Sequence, residues 1–73
     1  MKGGVHIMSL TIKYLGLSEK DIQTLKRELG KYETYFVQAA DTTIITVNGS
    51  TSEMLMILNI TSKYRHSDLL LKK

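Results

Sequence analysis

The sequence predicts a small α+β domain, an antiparallel sheet with two helices packed on one of its faces. Two helix-capping signatures, at Ser18 and Ser50, mark where helices begin. Between and around them lie segments rich in β-branched and aromatic residues, which favour strands. A chain of 73 residues has room for a single core, so these pieces must pack together as one domain over residues 1–73.

The first strand is expected over Val5–Tyr14. There Met8, Leu10, Ile12 and Tyr14 alternate with Ser9, Thr11 and Lys13, the period of two of a half-buried strand. Residues 1–4, with Gly3 and Gly4, read as a flexible lead-in, and Met8 as an alternative start that makes the first seven residues dispensable. Ser18 is then an N-cap with Asp21 in the place of the usual Glu, and Leu17 and Ile22 stand where a hydrophobic staple closes. Ile22, Leu25 and Leu29 form one apolar stripe, and Gly30 is placed to end the helix in a left-handed conformation, so a helix is expected over 19–29.

Tyr32–Ala40 and Thr43–Val47 read as an antiparallel hairpin turning at Asp41-Thr42, with Asn48-Gly49 as a further turn signal. Ser50 and Glu53 form a capping box before an apolar run, Met54 to Leu58. The run alone fits a buried helix or a buried strand; the box and the mostly unbranched residues favour a helix over 51–64. Ser67–Lys72 is either a short last strand or an extension of that helix, with 72–73 as a tail. The former completes a ferredoxin-like βαββαβ plait; the latter leaves a truncated βαββα form. Both leave one sheet face uncovered.

Composition narrows the function classes. With 42% hydrophobic and 23% charged residues the chain has a globular composition, and it has no cysteine for disulfides or thiolate metal sites. Its net charge of +3 resides in residues 62–73, where Lys63, Arg65, Lys72 and Lys73 face only Asp68. No stretch approaches the ~20 apolar residues of a membrane span, no secretory signal is visible, and a cytoplasmic location is expected. The sequons at Asn48 and Asn59 are then coincidental.

No catalytic, cofactor or metal site is nominated. His6 and His66 are far apart in the chain and lack further ligands; no Gly-x-Ser-x-Gly elbow and no phosphate loop is present. The expectation is a non-enzyme without cofactor.

Such a short chain has a thin core, and without staples a partner subunit is the remaining way to bury more surface. The first reading is therefore a protein-interaction or assembly module that binds itself or another protein. Its candidate interface residues are Ile7, Phe36 and Ile44 on the open sheet face, and Met54 and Met56 on the second helix. The alternative is a small nucleic-acid-binding protein using Lys63, Arg65, Lys72 and Lys73 together with that face. Stacking would fall to Phe36 and Tyr14, since plaits that bind RNA stack bases on sheet aromatics.

Overall fold

The computed structural model describes residues 7–73. In chain order the elements are β1 (Ile7–Leu15), α1 (Glu19–Glu28), β2 (Glu33–Ala39), β3 (Thr42–Ser50), α2 (Thr51–Thr61) and β4 (Asp68–Lys72). The segment after α2 is thus a strand, and the complete βαββαβ order is present. The expected lead-in, Val5 and His6 lie outside the described residues.

The sheet order is β2-β3-β1-β4, with every neighbouring pair antiparallel. β1 and β2 therefore run parallel with β3 between them, and each βαβ crossover is split by a strand of the other, as in a ferredoxin-like plait. Both helices cover the face that carries Leu10, Ile12 and Tyr14 of β1 and Ile45 and Val47 of β3. Ile22, Leu25 and Leu29 from the α1 segment and Met54 and Ile57 from α2 are buried there too. In both helices the inward positions recur at i, i+3 and i+7: 22, 25, 29 in one and 54, 57, 61 in the other.

The capping signatures act as read. Ser18 Oγ accepts from the Asp21 N–H at 3.1 Å. At α2 the box closes both ways: Ser50 Oγ accepts from the Glu53 N–H at 3.3 Å, and Glu53 Oε1 accepts from the Ser50 N–H at 2.8 Å. Ser50 is also the last residue of β3, so strand passes into helix without a loop.

Several local expectations are corrected. Asn48-Gly49 is no turn; β3 continues through both residues. Gly49 faces the core under α2, where a Cβ would come within 3.1 Å of Ile57 Cδ1, so its setting is a close approach of helix to strand and not a turn. Gly30 has no positive φ; a Cβ on it would meet the Lys26 carbonyl at 3.2 Å. The hairpin turns at Ala40-Asp41, Ala39 pairing with Thr42, and Ala40 takes φ 53°. Lys72, read as tail, is the last residue of β4.

Tyr14 links the two layers. Its ring is fully buried, and its hydroxyl donates to the Thr61 carbonyl at 2.7 Å. That carbonyl belongs to the last turn of α2, where backbone acceptors lack intrahelical partners. Burial, with Tyr64 nearby, pushes the Tyr14 phenol up to about 12. Across the ends of the helices, Lys63 Nζ lies 3.4 Å from Glu28 Oε1.

Candidate interaction surface

The registers define the face that, among the described residues, no helix covers. Running from β2 across β3 and β1 to β4, its side chains stand in rows: Glu33–Asn48–Ser9–Lys72, then Tyr35–Thr46–Thr11–Leu70, then Val37–Ile44–Lys13–Asp68. Ala39, Thr42 and Leu15 follow at one end, and Ser50 and Ile7 stand at the other. Five large apolar side chains on this face, Ile7, Leu15, Tyr35, Val37 and Leu70, are each more than half exposed. Its centre is polar, the Thr11 and Thr46 hydroxyls lying 3.4 Å apart.

The charges on the face balance, with Glu33 and Asp68 against Lys13 and Lys72. Glu33 accepts hydrogen bonds from the Tyr35 hydroxyl and, at 3.2 Å, from Asn48 Nδ2. These bonds hold its carboxyl below the usual range, the Tyr35 bond contributing most. The same bond, followed by the carboxylate charge, raises the Tyr35 phenol. Asp68 Oδ1 accepts from the Leu69 N–H at 2.9 Å, which leaves its other oxygen outside that bond.

Of the expected interface residues, Ile7 and Ile44 are on this face. Phe36 is not. It pairs with Ile45, points to the helix side and packs against the core, with Lys26 Nζ 5.5 Å from its ring centroid. β2 has apolar residues at both parities, so alternation could not choose its inner face, and a one-residue change of parity exchanges every side chain. Met54 is a core residue, only 3% exposed, because α2 turns its 54–57–61 stripe onto the sheet. Met56 is exposed on α2 beside Leu55, which is 74% exposed, on the helix layer and so away from the open sheet face.

The basic residues divide into two groups. Lys63 and Arg65 lie between α2 and β4, whereas Lys72 and Lys73 come at the far end of β4. Four strand steps, about 13 Å, separate Asp68 from Lys72. Neither expected aromatic serves for stacking: Tyr14 is in the core, Phe36 is on the helix side, and the aromatic on the open face is Tyr35 of edge strand β2. Tyr35, Val37, Leu15 and Leu70 escaped the sequence reading; cross-strand register, which a single sequence does not show, is the signal that finds them.

Among the described residues no three metal-ligating side chains converge, and no helix is long and apolar enough to cross a membrane. No family model matches the chain, and no curated protein matches it. Solved structures do. One is LarC2, the C-terminal domain of a cyclometallase involved in the synthesis of the NPN cofactor of lactate racemase, in its apo form. It matches with TM-score 0.72 and 11% identity over 90% of this chain, which spans about half of that one, 52%. A second is the de novo designed protein Ferredog-Diesel, with TM-score 0.75 and 12% identity over 100% of this chain and 90% of its own. At such low identity the likeness is one of fold: the chain is a ferredoxin-like α+β domain.

Proposed function

We propose that the chain is a non-enzymatic interaction module that associates with a second copy of itself through the open face of its sheet. The observation that carries this is the set of five apolar side chains on that face, each more than half exposed, on a domain whose helices cover only the other face. A half-exposed side chain of this size has about 1 kcal/mol still to gain from burial. Two copies would together gain roughly 10 kcal/mol from these residues, against an association cost of about 4–15 kcal/mol. At the low end of that cost the surplus is about 6 kcal/mol, a Kd of tens of micromolar, so the dimer is weak and reversible rather than obligate.

The balanced charge and the Thr-rich central strands disfavour nucleic acid as the occupant of this face. Phosphate recognition calls for a surplus of cations, and base stacking for aromatics on the sheet.

Sedimentation velocity across the micromolar range tests the proposal. The mean mass should rise from one chain towards two with concentration. Tyr35→Lys combined with Val37→Lys should hold the protein monomeric with an unchanged circular dichroism spectrum, whereas Leu55→Lys on α2 should leave association intact. A wild-type chain that remains monomeric at high micromolar concentration refutes the reading.

A further inference from the structure

The self-association proposed above has a definite geometry, and this inference rests on it: the geometry points to a two-fold axis running across the strands, through the Tyr35–Thr46–Thr11–Leu70 row, so that Lys72 of each copy meets Asp68 of the other. A pair of identical chains closes most simply by two-fold symmetry, with the same patch on both sides. Sheets packed face to face keep their strands within about 30° of alignment, which leaves the axis lying either along the strands or across them.

The two arrangements match different residues. With the axis along the strands, β2 of one copy lies over β4 of the other. Tyr35 then meets Leu70, but Ile7 meets Ser50, Leu15 meets Thr42 and Val37 meets the Asp68 carboxylate. With the axis across the strands, each strand lies over its own counterpart with the rows reversed about the central one. Ile7 now meets Leu15, Tyr35 meets Tyr35 and Leu70 meets Leu70, while Val37 meets the Glu33 carboxylate, so Val37 faces an acid in either arrangement. Four of the five exposed apolar residues find apolar partners, against two in the other arrangement.

Charge supports the same choice. Lys72 and Asp68 stand on β4 two residues to either side of Leu70, so the crossing axis places each over the other's counterpart, twice per dimer. Glu33, the acid that Lys72 would meet in the alternative, already accepts two hydrogen bonds within its own chain. The occupant this face fits is therefore a second copy, and Lys72 with Asp68 fixes its orientation.

Charge complementation reads the axis directly. Lys72→Asp alone and Asp68→Lys alone each juxtapose like charges twice, and each should weaken dimerisation by about tenfold or more. Mixed together, the two variants should regain wild-type affinity as a heterodimer, because every contact is again between opposite charges. Restoration of Lys72→Asp by Glu33→Lys instead, or no restoration by either, overturns this axis while leaving self-association standing. A monomeric wild type removes both proposals.

Should Asp68→Lys not fold, a nitroxide on Thr42→Cys in the otherwise cysteine-free chain gives the answer by dipolar spectroscopy. The crossing axis places the two labelled positions roughly 28 Å apart and the other axis roughly 11 Å. The shorter distance overturns the inference.

Discussion

Replacing Tyr14 by Phe removes one oxygen from the core and leaves the Thr61 carbonyl without the hydroxyl that donates to it at 2.7 Å. The carbonyl lies at the C-terminal turn of α2, and the contact is buried, so water does not take the hydroxyl's place without opening the packing. A buried acceptor left unpaired costs about 1–3 kcal/mol. The expected loss near neutral pH is about 2 kcal/mol, or roughly 8–16 °C in Tm for a domain of this size.

The same group makes the loss depend on pH. The phenol is pushed up to about 12 in the fold, from an ordinary value of 10. Below pH 10 it is protonated in both folded and unfolded chains, and its contribution is fully present. Between pH 10 and 12 the unfolded chain releases the proton first, so the wild type loses stability as pH rises, by about 3 kcal/mol in all. The Phe variant has no such proton to lose. Urea unfolding at a series of pH values should therefore show the wild type ahead by about 2 kcal/mol at pH 7, with the lead vanishing and reversing before pH 12. A constant gap up to pH 12, or a cost under about 0.5 kcal/mol at pH 7, refutes the account of Tyr14 as a buried neutral donor to α2.

Two further substitutions test the backbone argument, and both are read by thermal or urea unfolding. Ala40 occupies the first position of the two-residue hairpin loop with φ 53°, so Ala40→Gly should stabilise the fold by about 0.5–1 kcal/mol. A loss on making it would place the strain elsewhere. Gly49→Ala should destabilise by about 1–3 kcal/mol, because the new methyl falls 3.1 Å from Ile57 Cδ1 and 3.2 Å from Glu53 Oε1, pressing on both the core and the capping box. A neutral result there would mean that α2 can lift from β3 without penalty.

The parts of the fold legible in the sequence are those set by near neighbours. Ser18 and Ser50 cap because their hydroxyls reach N–H groups three residues on, and the helices between 19 and 61 follow from them. β1 is legible because its middle alternates strictly, Met8, Leu10, Ile12 and Tyr14 against Ser9, Thr11 and Lys13, with outward apolar residues only at its ends, Ile7 and Leu15. β2 is not, since Tyr35, Phe36 and Val37 are consecutive, and only pairing with Ile44, Ile45 and Thr46 decides which of them turns inward. Gly49 misled for a related reason. Its turn-like neighbour Asn48 is local, whereas the close approach of Ile57 to Gly49 is tertiary. The misplacement of Phe36 and Met54 on the candidate surface thus has one origin: a side chain's face in a sheet or a packed helix is settled by partners distant in the chain.

The same partition accounts for the character of the face itself. β1 and β3 form the centre of the sheet, and each commits one parity entirely to the core: Leu10, Ile12 and Tyr14 in one, Thr43, Ile45 and Val47 in the other. Their outward parity is mostly polar in the middle of the sheet, with Ser9, Thr11, Lys13, Thr42, Thr46 and Asn48 and the part-buried Ile44. The apolar surplus is consequently displaced to the edge strands and the ends of β1. A strong obligate interface has an apolar centre and a polar rim. Here the order is reversed, with the two Thr hydroxyls at the centre already 3.4 Å apart and able to satisfy each other in part when water leaves. That arrangement keeps the separated chain well solvated and keeps the two central hydroxyls within reach of each other when a matching surface docks. It is the construction expected of a domain that associates reversibly, and it agrees with the small net surplus that the exposed apolar residues leave after the cost of association.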